Sequence, residues 1–409
     1  MANRVQQLVI PKLRNATVLL TGSTGYLGSF ILHELLQYNC TVYCLIRGKD
    51  EQHCRLKLAT QMHHHLLPLS DADQIKVIQG DLNELKFGLS DALYDQLSNV
   101  VDVVIHNGAL VHWVYPYDKL YKPNVQSTME AYKLCCLNKL KRFIFVSSTS
   151  VISGNMDAVD EEDTLIQCKT GIKSGYGQTK WVCERVLQHA LLPVNVIRPG
   201  YIVGHGKNGV TNSDDFIFRM IKGCQELKYA PIINNHINMC TVDYVSKVVV
   251  GSLLLSDSCH YKVYQTWQPI KFTFTELFGI CAHYMNIKPI EYSEWKLMLQ
   301  TNVNDALMPL LHFVMDDLPT TTKGCLLKDD NTRHLIKEVH SQYGILIENT
   351  SMQKSIRWMI GYLIDVGYLQ KDLETMGDEW KTFVNVPFEE LPKLDMWKQS
   401  KTMVKRSNQ

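Results

Sequence analysis

Short apolar-rich runs alternate with amphipathic stretches along the N-terminal half of the chain. The runs at 17–21, 41–46, 75–79, 102–106, 142–147 and 194–199 predict strands. The stretches at 27–38, 51–66, 91–98, 117–138 and 175–191 repeat apolar residues at helical spacing and predict helices. Pro123 breaks or restarts the fourth of these. Strands separated by helices pair in parallel through right-handed crossovers. The expected fold class is α/β: a doubly wound parallel sheet with a smaller, mostly helical C-terminal cap.

The rhythm changes after Pro199-Gly200. Residues 205–236 read as loop-rich, and 240–255 as a short strand entering a helix that packs back on the main sheet. From about residue 272 the pattern is mostly helical. These features predict a nucleotide-binding domain over 1–205, with 237–265 returning to it, and a substrate cap over 206–236 and 266–409.

A formal net charge of +1 argues against a nucleic-acid or anionic-membrane partner. No apolar run approaches the length of a membrane span, and the first fifteen residues do not read as a secretory signal. The twelve cysteines are scattered without metal-ligand spacing, which predicts reduced thiols in a cytoplasmic protein. His63, His64 and His65 point in different directions on a helix, so they predict a solvated face and no metal site. The basic tail from Lys398 to Arg406 reads as a solvated end.

The first run enters V-L-L-T-G-S-T-G-Y-L-G at 18–28, with glycines at 22, 25 and 28. This strand–turn–helix receives a dinucleotide pyrophosphate, with Gly22, Ser23, Thr24, Gly25, Tyr26 and Leu27 forming the turn. The helix N-terminus adds a partial positive charge. An NAD site usually places an acid at the end of strand two, but here the residue is Arg47. A guanidinium there matches an adenosine 2′-phosphate, with Arg55 as a second cation, so the expected cofactor is NADPH. Asp81 and Leu82 follow strand three, where the acid accepts from adenine or simply holds a turn. Asn107, Gly108 and Ala109 end strand four beside the nicotinamide ribose.

Strand five ends in S-S-T-S-V, and Tyr176-Gly-Gln-Thr-Lys180 follows on a helix. Four residues apart, the phenol and the ammonium share one face. The ammonium is expected to lower the phenol pKa from about 10 toward the working range. A hydroxyl from the strand-five end completes a donor pair aimed at a substrate carbonyl oxygen.

With these residues the chain resembles the extended short-chain dehydrogenase/reductases, and within them the thioester reductase branch. That branch comprises the terminal reductase domains of nonribosomal peptide synthetases, of carboxylic acid reductases and of the fungal aminoadipate reductase. The stretches that carry the resemblance are T-G-S-T-G-Y-L-G, G-D-L at 80–82, H-N-G-A-L-V-H-W-V-Y-P-Y at 106–117, S-S-T-S-V at 147–151, S-G-Y-G-Q-T-K-W-V at 174–182, R-P-G-Y-I-V-G at 198–204 and D-D-F-I-F-R at 214–219. The resemblance implies a Ser/Thr, Tyr and Lys triad: Tyr176, Lys180 and Ser148, with Thr149 as runner-up for the hydroxyl. It also suggests Asn124 as a structural asparagine.

The reaction implied is reductive release of an acyl or aminoacyl thioester to an aldehyde, with a second reduction to the alcohol left open. The substrate partner implied is a phosphopantetheinylated carrier protein or an acyl-CoA. Adenylation and carrier motifs are not visible beside the reductase motifs, which implies a stand-alone reductase or an excised domain. The alternative expectation is a reductase of free aldehydes or ketones, or another extended member such as an epimerase. Val111, His112, Trp113, Tyr115 and Tyr201 are candidate substrate contacts, and Lys207, Arg219, Lys222 and Lys228 candidate contacts for an acidic carrier.

Overall fold

The computed structural model describes residues 13–372 except 70–71, 113, 153–155, 256–260, 269–271, 302–305, 309–310, 312–313, 315–317 and 320–323. The described chain forms two compact units. The first comprises the chain to Gly200, Val245–Thr266 and Cys325–Ile347. Its centre is a seven-stranded parallel sheet built from β1 (Thr17–Thr21), β2 (Thr41–Ile46), β3 (Ile75–Gln79), β4 (Val103–His106), β5 (Arg142–Val146), β6 (Val194–Pro199) and β7 (Tyr261–Thr266). The spatial order is β7-β6-β5-β4-β1-β2-β3, the doubly wound order whose chain reversal lies between β1 and β4.

All six predicted strands are present, and β1, β2, β3 and β6 keep their predicted bounds. Every residue of β4 and β5 is buried, as expected of central parallel strands. Asp102 falls just outside β4. One carboxylate oxygen accepts the Thr17 N–H at 2.8 Å and the other the Lys139 ammonium at 2.7 Å.

The flanking helices are α1 (Tyr26–Leu36), α2 (Glu51–His64), α3 (Asp91–Val100), α4 (Ser127–Cys136) and α5 (Gly175–Leu187). Asp50, Ser90 and Ser174 cap α2, α3 and α5 through side-chain oxygens. The predicted helix over 117–138 divides into a short α turn at Tyr117–Leu120, a wide π turn at Tyr121–Gln126, and α4. Pro123 has no N–H to donate, and the turn widens around it. The Ser127 hydroxyl donates to the Pro123 carbonyl at 2.6 Å, and Thr128 to the Asn124 carbonyl at 2.6 Å.

Cys325–Ile347 was expected in the cap but belongs to the first unit. Its helix, Asp330–Tyr343, is tied to β7, with Asn331 Nδ2 donating to the Val263 carbonyl at 3.1 Å and Thr332 Oγ1 lying 3.0 Å from the Gln265 carbonyl oxygen. The buried Glu161 carboxylate accepts from Gln265 N–H, Asn331 N–H and the Thr332 hydroxyl.

The second unit comprises Tyr201–Tyr244, Trp267–Gly324 and the chain from Glu348. The loop-rich expectation for 205–236 is corrected by a twelve-residue helix, α6 (Phe216–Leu227). Asp215 caps it, accepting the Ile217 N–H at 3.1 Å. Phe216, Met220, Ile221 and Cys224 bury against Phe274, Phe278 and Trp295. The short strand expected near 240 is present and enters a helix, Val242–Gly251, as the pattern predicted, but its partner is not in the main sheet. Met239–Thr241 pairs in parallel with Tyr201–Val203 instead.

Candidate active site

β1 delivers the chain to Gly22, whose φ of +71° suits only glycine in such a tight turn. α1 then returns across it. A Cβ on Gly28 would lie 1.9 Å from the Gly22 carbonyl oxygen, so only glycine lets helix and turn meet. Asn107 Nδ2 donates to the same carbonyl at 3.3 Å, and Gly108 N–H donates to Thr21 Oγ1 at 2.9 Å. Leu82 packs on Gly108, where a Cβ would sit 2.9 Å from Leu82 Cδ1. Ala109, half-buried, follows in the same turn.

The N-cap of α1 is Gly25, with no side-chain acceptor, and its first turn carries no acid. Ser23 and Leu27 are buried, while Thr24 and Tyr26 are half-buried around this end. A helix start without its own anionic cap suits an external one, so these residues fit a dinucleotide pyrophosphate.

Arg47 stands exposed at the end of β2. Arg55, proposed beside it, is engaged elsewhere: its guanidinium grips Glu51 one turn back at 2.9 and 2.7 Å. Lys57 instead reaches the strand end, donating to the Arg47 carbonyl at 3.4 Å. Asp81 holds a turn, its carboxylate accepting from Asn83 N–H at 2.9 Å and Asn83 Nδ2 at 2.8 Å.

α5 presents Tyr176 and Lys180 on one face. Its N-terminal turn is pressed between two backbones. A Cβ on Gly175 would lie 2.4 Å from the Tyr115 carbonyl, and one on Gly177 2.4 Å from the Ser150 carbonyl. The G-Y-G triplet was the available signal for this squeeze. Ser148 caps the turn Thr149–Val151, its Oγ accepting the Ser150 N–H at 3.1 Å, which leaves its proton to donate outward. Asn124 ties the 110 loop to α5. It accepts from Leu110 N–H at 2.8 Å and donates to the Leu110 carbonyl and Thr179 Oγ1, each at 3.1 Å.

Lys180 is buried, and its Nζ donates to the Val146 carbonyl at 2.6 Å. It lies 4.6 Å from the Phe145 ring centre and 5.8 Å from that of Tyr176. Burial pulls its pKa down to about 8, with Cys183 and Glu184 opposing. The Tyr176 phenol is pushed up, by burial first and then by Cys183. This corrects the expectation that the ammonium brings the phenol down. The ammonium is spent on a backbone carbonyl and ring faces, and desolvation dominates the phenol.

Charged and polar residues missed by the sequence reading lie beneath this face. Arg198, fully buried, clasps Glu184 at 2.6, 3.0 and 3.1 Å. Glu184 also accepts the Ser147 hydroxyl at 2.5 Å. His106, buried at the end of β4, links Thr21 Oγ1 at 3.0 Å to Ser127 Oγ at 3.2 Å. Burial, then Lys180, pulls its pKa down to about 3. The histidine run also departs from expectation. His63 and His64 are exposed, but His65 is buried against Ser29 Oγ at 2.7 Å, and burial pulls it down to about 4. Among the described residues no group of His, Cys, Asp or Glu is arranged to hold a metal.

Of the substrate candidates, Val111 and Tyr115 are exposed, His112 stacks on Tyr115 at 3.5 Å, and Trp113 lies outside the described residues. In the second unit Tyr201 packs 5.9 Å from Phe216. Burial pushes its phenol up, with Asp215 adding to the effect, and burial pushes Asp215 itself up to about 6. The four basic candidates there each have an acidic partner: Lys207 with Glu348, Arg219 with Asp214, Lys222 with Glu226 and Lys228 with Asp372. No described helix is long and apolar enough to cross a membrane.

A family model described as Male sterility protein, an NAD-binding domain, matches residues 20–249. The chain belongs to that family. This match and the doubly wound sheet identify the male sterility-type domain as a binder of a nicotinamide dinucleotide. The chain is 38% identical over 382 residues to the L-2-aminoadipate reductase of Schizosaccharomyces pombe, covering 87% of this chain and 27% of that protein. It is 31% identical over 316 residues to a nonribosomal peptide synthetase of Aspergillus flavus, covering 72% of this chain and 30% of that protein. Among solved structures, the terminal R domain of the myxalamid biosynthetic pathway superposes with a TM-score of 0.78 at 28% identity, covering 87% of this chain and 92% of that one. The chain thus spans 27% of the length of the aminoadipate reductase it matches.

Proposed function

We propose that this chain reduces an acyl or aminoacyl thioester, presented by a phosphopantetheinylated carrier protein or as an acyl-CoA, to an aldehyde with NADPH. One observation carries the reading: α5 holds Tyr176 and Lys180 on one face, pressed at Gly177 onto the turn that Ser148 caps. The relatives named as aminoadipate reductase and nonribosomal peptide synthetase favour a thioester over a free aldehyde, ketone or sugar nucleotide.

The chain's own groups suit reduction. A phenol raised by burial keeps its proton at neutral pH and donates it to the carbonyl oxygen as negative charge grows there. Ser148, one lone pair of its Oγ accepting the Ser150 N–H, offers its proton as a second donor to the same oxygen. Lys180 is anchored by Val146 and keeps positive charge beneath the phenol. When bound, the dinucleotide supplies the hydride. The hydride adds to the carbonyl carbon and the phenol's proton to its oxygen; the C–S bond of that adduct then breaks as the C=O re-forms, and the hydroxyl proton passes to the sulfur, which departs as a thiol. Thr149 is the alternative hydroxyl.

Arg47, where an NAD site carries an acid, supports NADPH. Gly22 to Leu27, Leu82, Asn107, Gly108 and Ala109 would line its phosphates and ribose, and Asp81 lies at the adenine side. We assign the first unit to the dinucleotide, and the second to the acyl group through Tyr201. Tyr115, whose carbonyl meets the start of α5, and Val111 in the same loop offer exposed apolar surface. Free thiols such as Cys44, Cys135 and Cys183 fit a cytoplasmic setting.

The test is NADPH and NADH consumption with acyl-carrier, acyl-pantetheine and acyl-CoA thioesters, with the product trapped as an aldehyde adduct. NADPH-dependent aldehyde formation from a thioester is the expected result. Turnover of free carbonyl compounds alone would overturn the reading.

A further inference from the structure

We propose that Glu184 is a positioning residue for the reacting face, acting on Lys180 through its charge and on Ser148 through the Ser147 hydroxyl. The inference rests on the reading of Tyr176, Lys180 and Ser148 as the reacting groups.

Tyr176, Lys180 and Glu184 stand at successive four-residue steps on α5, so they share one helix face. The Glu184 carboxylate is buried and fully occupied, holding Arg198 Nε and Nη2 on β6 and the Ser147 hydroxyl beyond β5. Ser147 is a junction. The residue before it, Val146, offers the carbonyl that anchors Lys180 Nζ at 2.6 Å. The residue after it is Ser148. Its own N–H donates to the Ile197 carbonyl on β6 at 2.7 Å. A carboxylate that grips this hydroxyl therefore fixes the direction in which both neighbours leave the strand.

The charge has a second use. The groups facing Lys180 are Tyr176, Cys183 and Glu184 on α5, the Phe145 ring and Val146 carbonyl on β5, and neutral His106 on β4; Arg198 on β6 is paired with Glu184. Glu184 is the carboxylate among them, and it opposes the loss of the ammonium proton that burial promotes. A buried ion pair is a poor source of stability, because apolar residues of similar volume often serve as well. Its place one turn beyond Lys180 points to the site.

The test is kcat and kcat/KM against pH with NADPH and an acyl-pantetheine thioester, for wild type, Glu184→Gln and Ser147→Ala of the full chain. Glu184→Gln keeps an acceptor for Ser147 but removes the charge. Its alkaline limb is expected to move to lower pH by about one unit. Ser147→Ala is expected to lose about tenfold in kcat with KM and the limb unmoved. An unmoved limb in folded Glu184→Gln overturns the electrostatic half. A wild-type kcat in Ser147→Ala overturns the positioning half, and does so even where Glu184→Gln fails to fold around an unpaired Arg198. Tyr176→Phe and Lys180→Met separate the two levels. If both retain turnover, the reading of the site has failed; if both abolish it, a negative result concerns Glu184 alone.

Discussion

Lys180 Nζ is anchored 2.6 Å from the Val146 carbonyl oxygen, so the helix that carries the phenol is pinned to the end of the strand that carries the hydroxyl. Burial costs the ammonium part of its hydration and brings its pKa down to about 8. The charge is present below that value and is lost as pH rises through it. The rate kcat/KM is therefore expected to fall about tenfold per unit above pH 8. A pH profile measured with saturating NADPH checks this, and Lys180→Met should abolish both the limb and most of the activity.

Gly28 makes the tightest approach in the dinucleotide turn. Gly28→Ala pushes α1 away from the Gly22 carbonyl, at a cost of about 1–3 kcal/mol in stability. The displaced helix start should weaken NADPH binding at least about tenfold. Fluorescence titration of NADPH and a thermal melt on the same variant measure the two effects.

Arg47 and Arg55 make a paired test of cofactor choice. Arg55 is committed to Glu51, whereas Arg47 stands open at the strand end. Arg47→Ala should weaken NADPH by about tenfold and leave NADH nearly unchanged. Arg55→Ala should change the NADPH to NADH ratio by less than about twofold. Titration of both cofactors against both variants reads this out.

His106 should make the fold sensitive to mild acid. Its folded pKa is pulled down to about 3 by burial, while an unfolded histidine titrates near 6.5. Between these values the unfolded chain binds the extra proton, so stability from this group falls as pH drops below about 6.5. The slope is about 1.4 kcal/mol per pH unit at most. Urea unfolding at pH 7 and pH 5 should show the loss, and His106→Gln should flatten it.

The parallel sheet was legible because buried strands leave continuous apolar runs, as in β1 and β5. β7 was not, because Lys262, Gln265 and Thr266 dilute its apolar pattern at the sheet edge. α6 was hidden behind a Gly- and Asp-rich stretch whose last acid, Asp215, is in fact its cap. The shared helix face of Tyr176 and Lys180, the pair proposed to react, was legible from spacing alone, whatever packs on it. Its electrostatics were not. Ser147 and Arg198 lie 37 and 14 residues from Glu184, and a lone glutamate on a helix reads as solvated until its partners are seen. His65 and Arg55 show the reverse: their residue types suggested solvent and phosphate, and tertiary packing and a neighbouring acid engaged them otherwise.

The most direct measurement is single-turnover oxidation of NADPH with an acyl-pantetheine thioester by wild type and Tyr176→Phe, with NADPH affinity measured alongside. Loss of the phenol should slow aldehyde formation by about 10²–10⁴-fold while cofactor affinity stays close to wild type. A Tyr176→Phe protein that formed aldehyde at the wild-type rate would contradict the assignment of the phenol as proton donor.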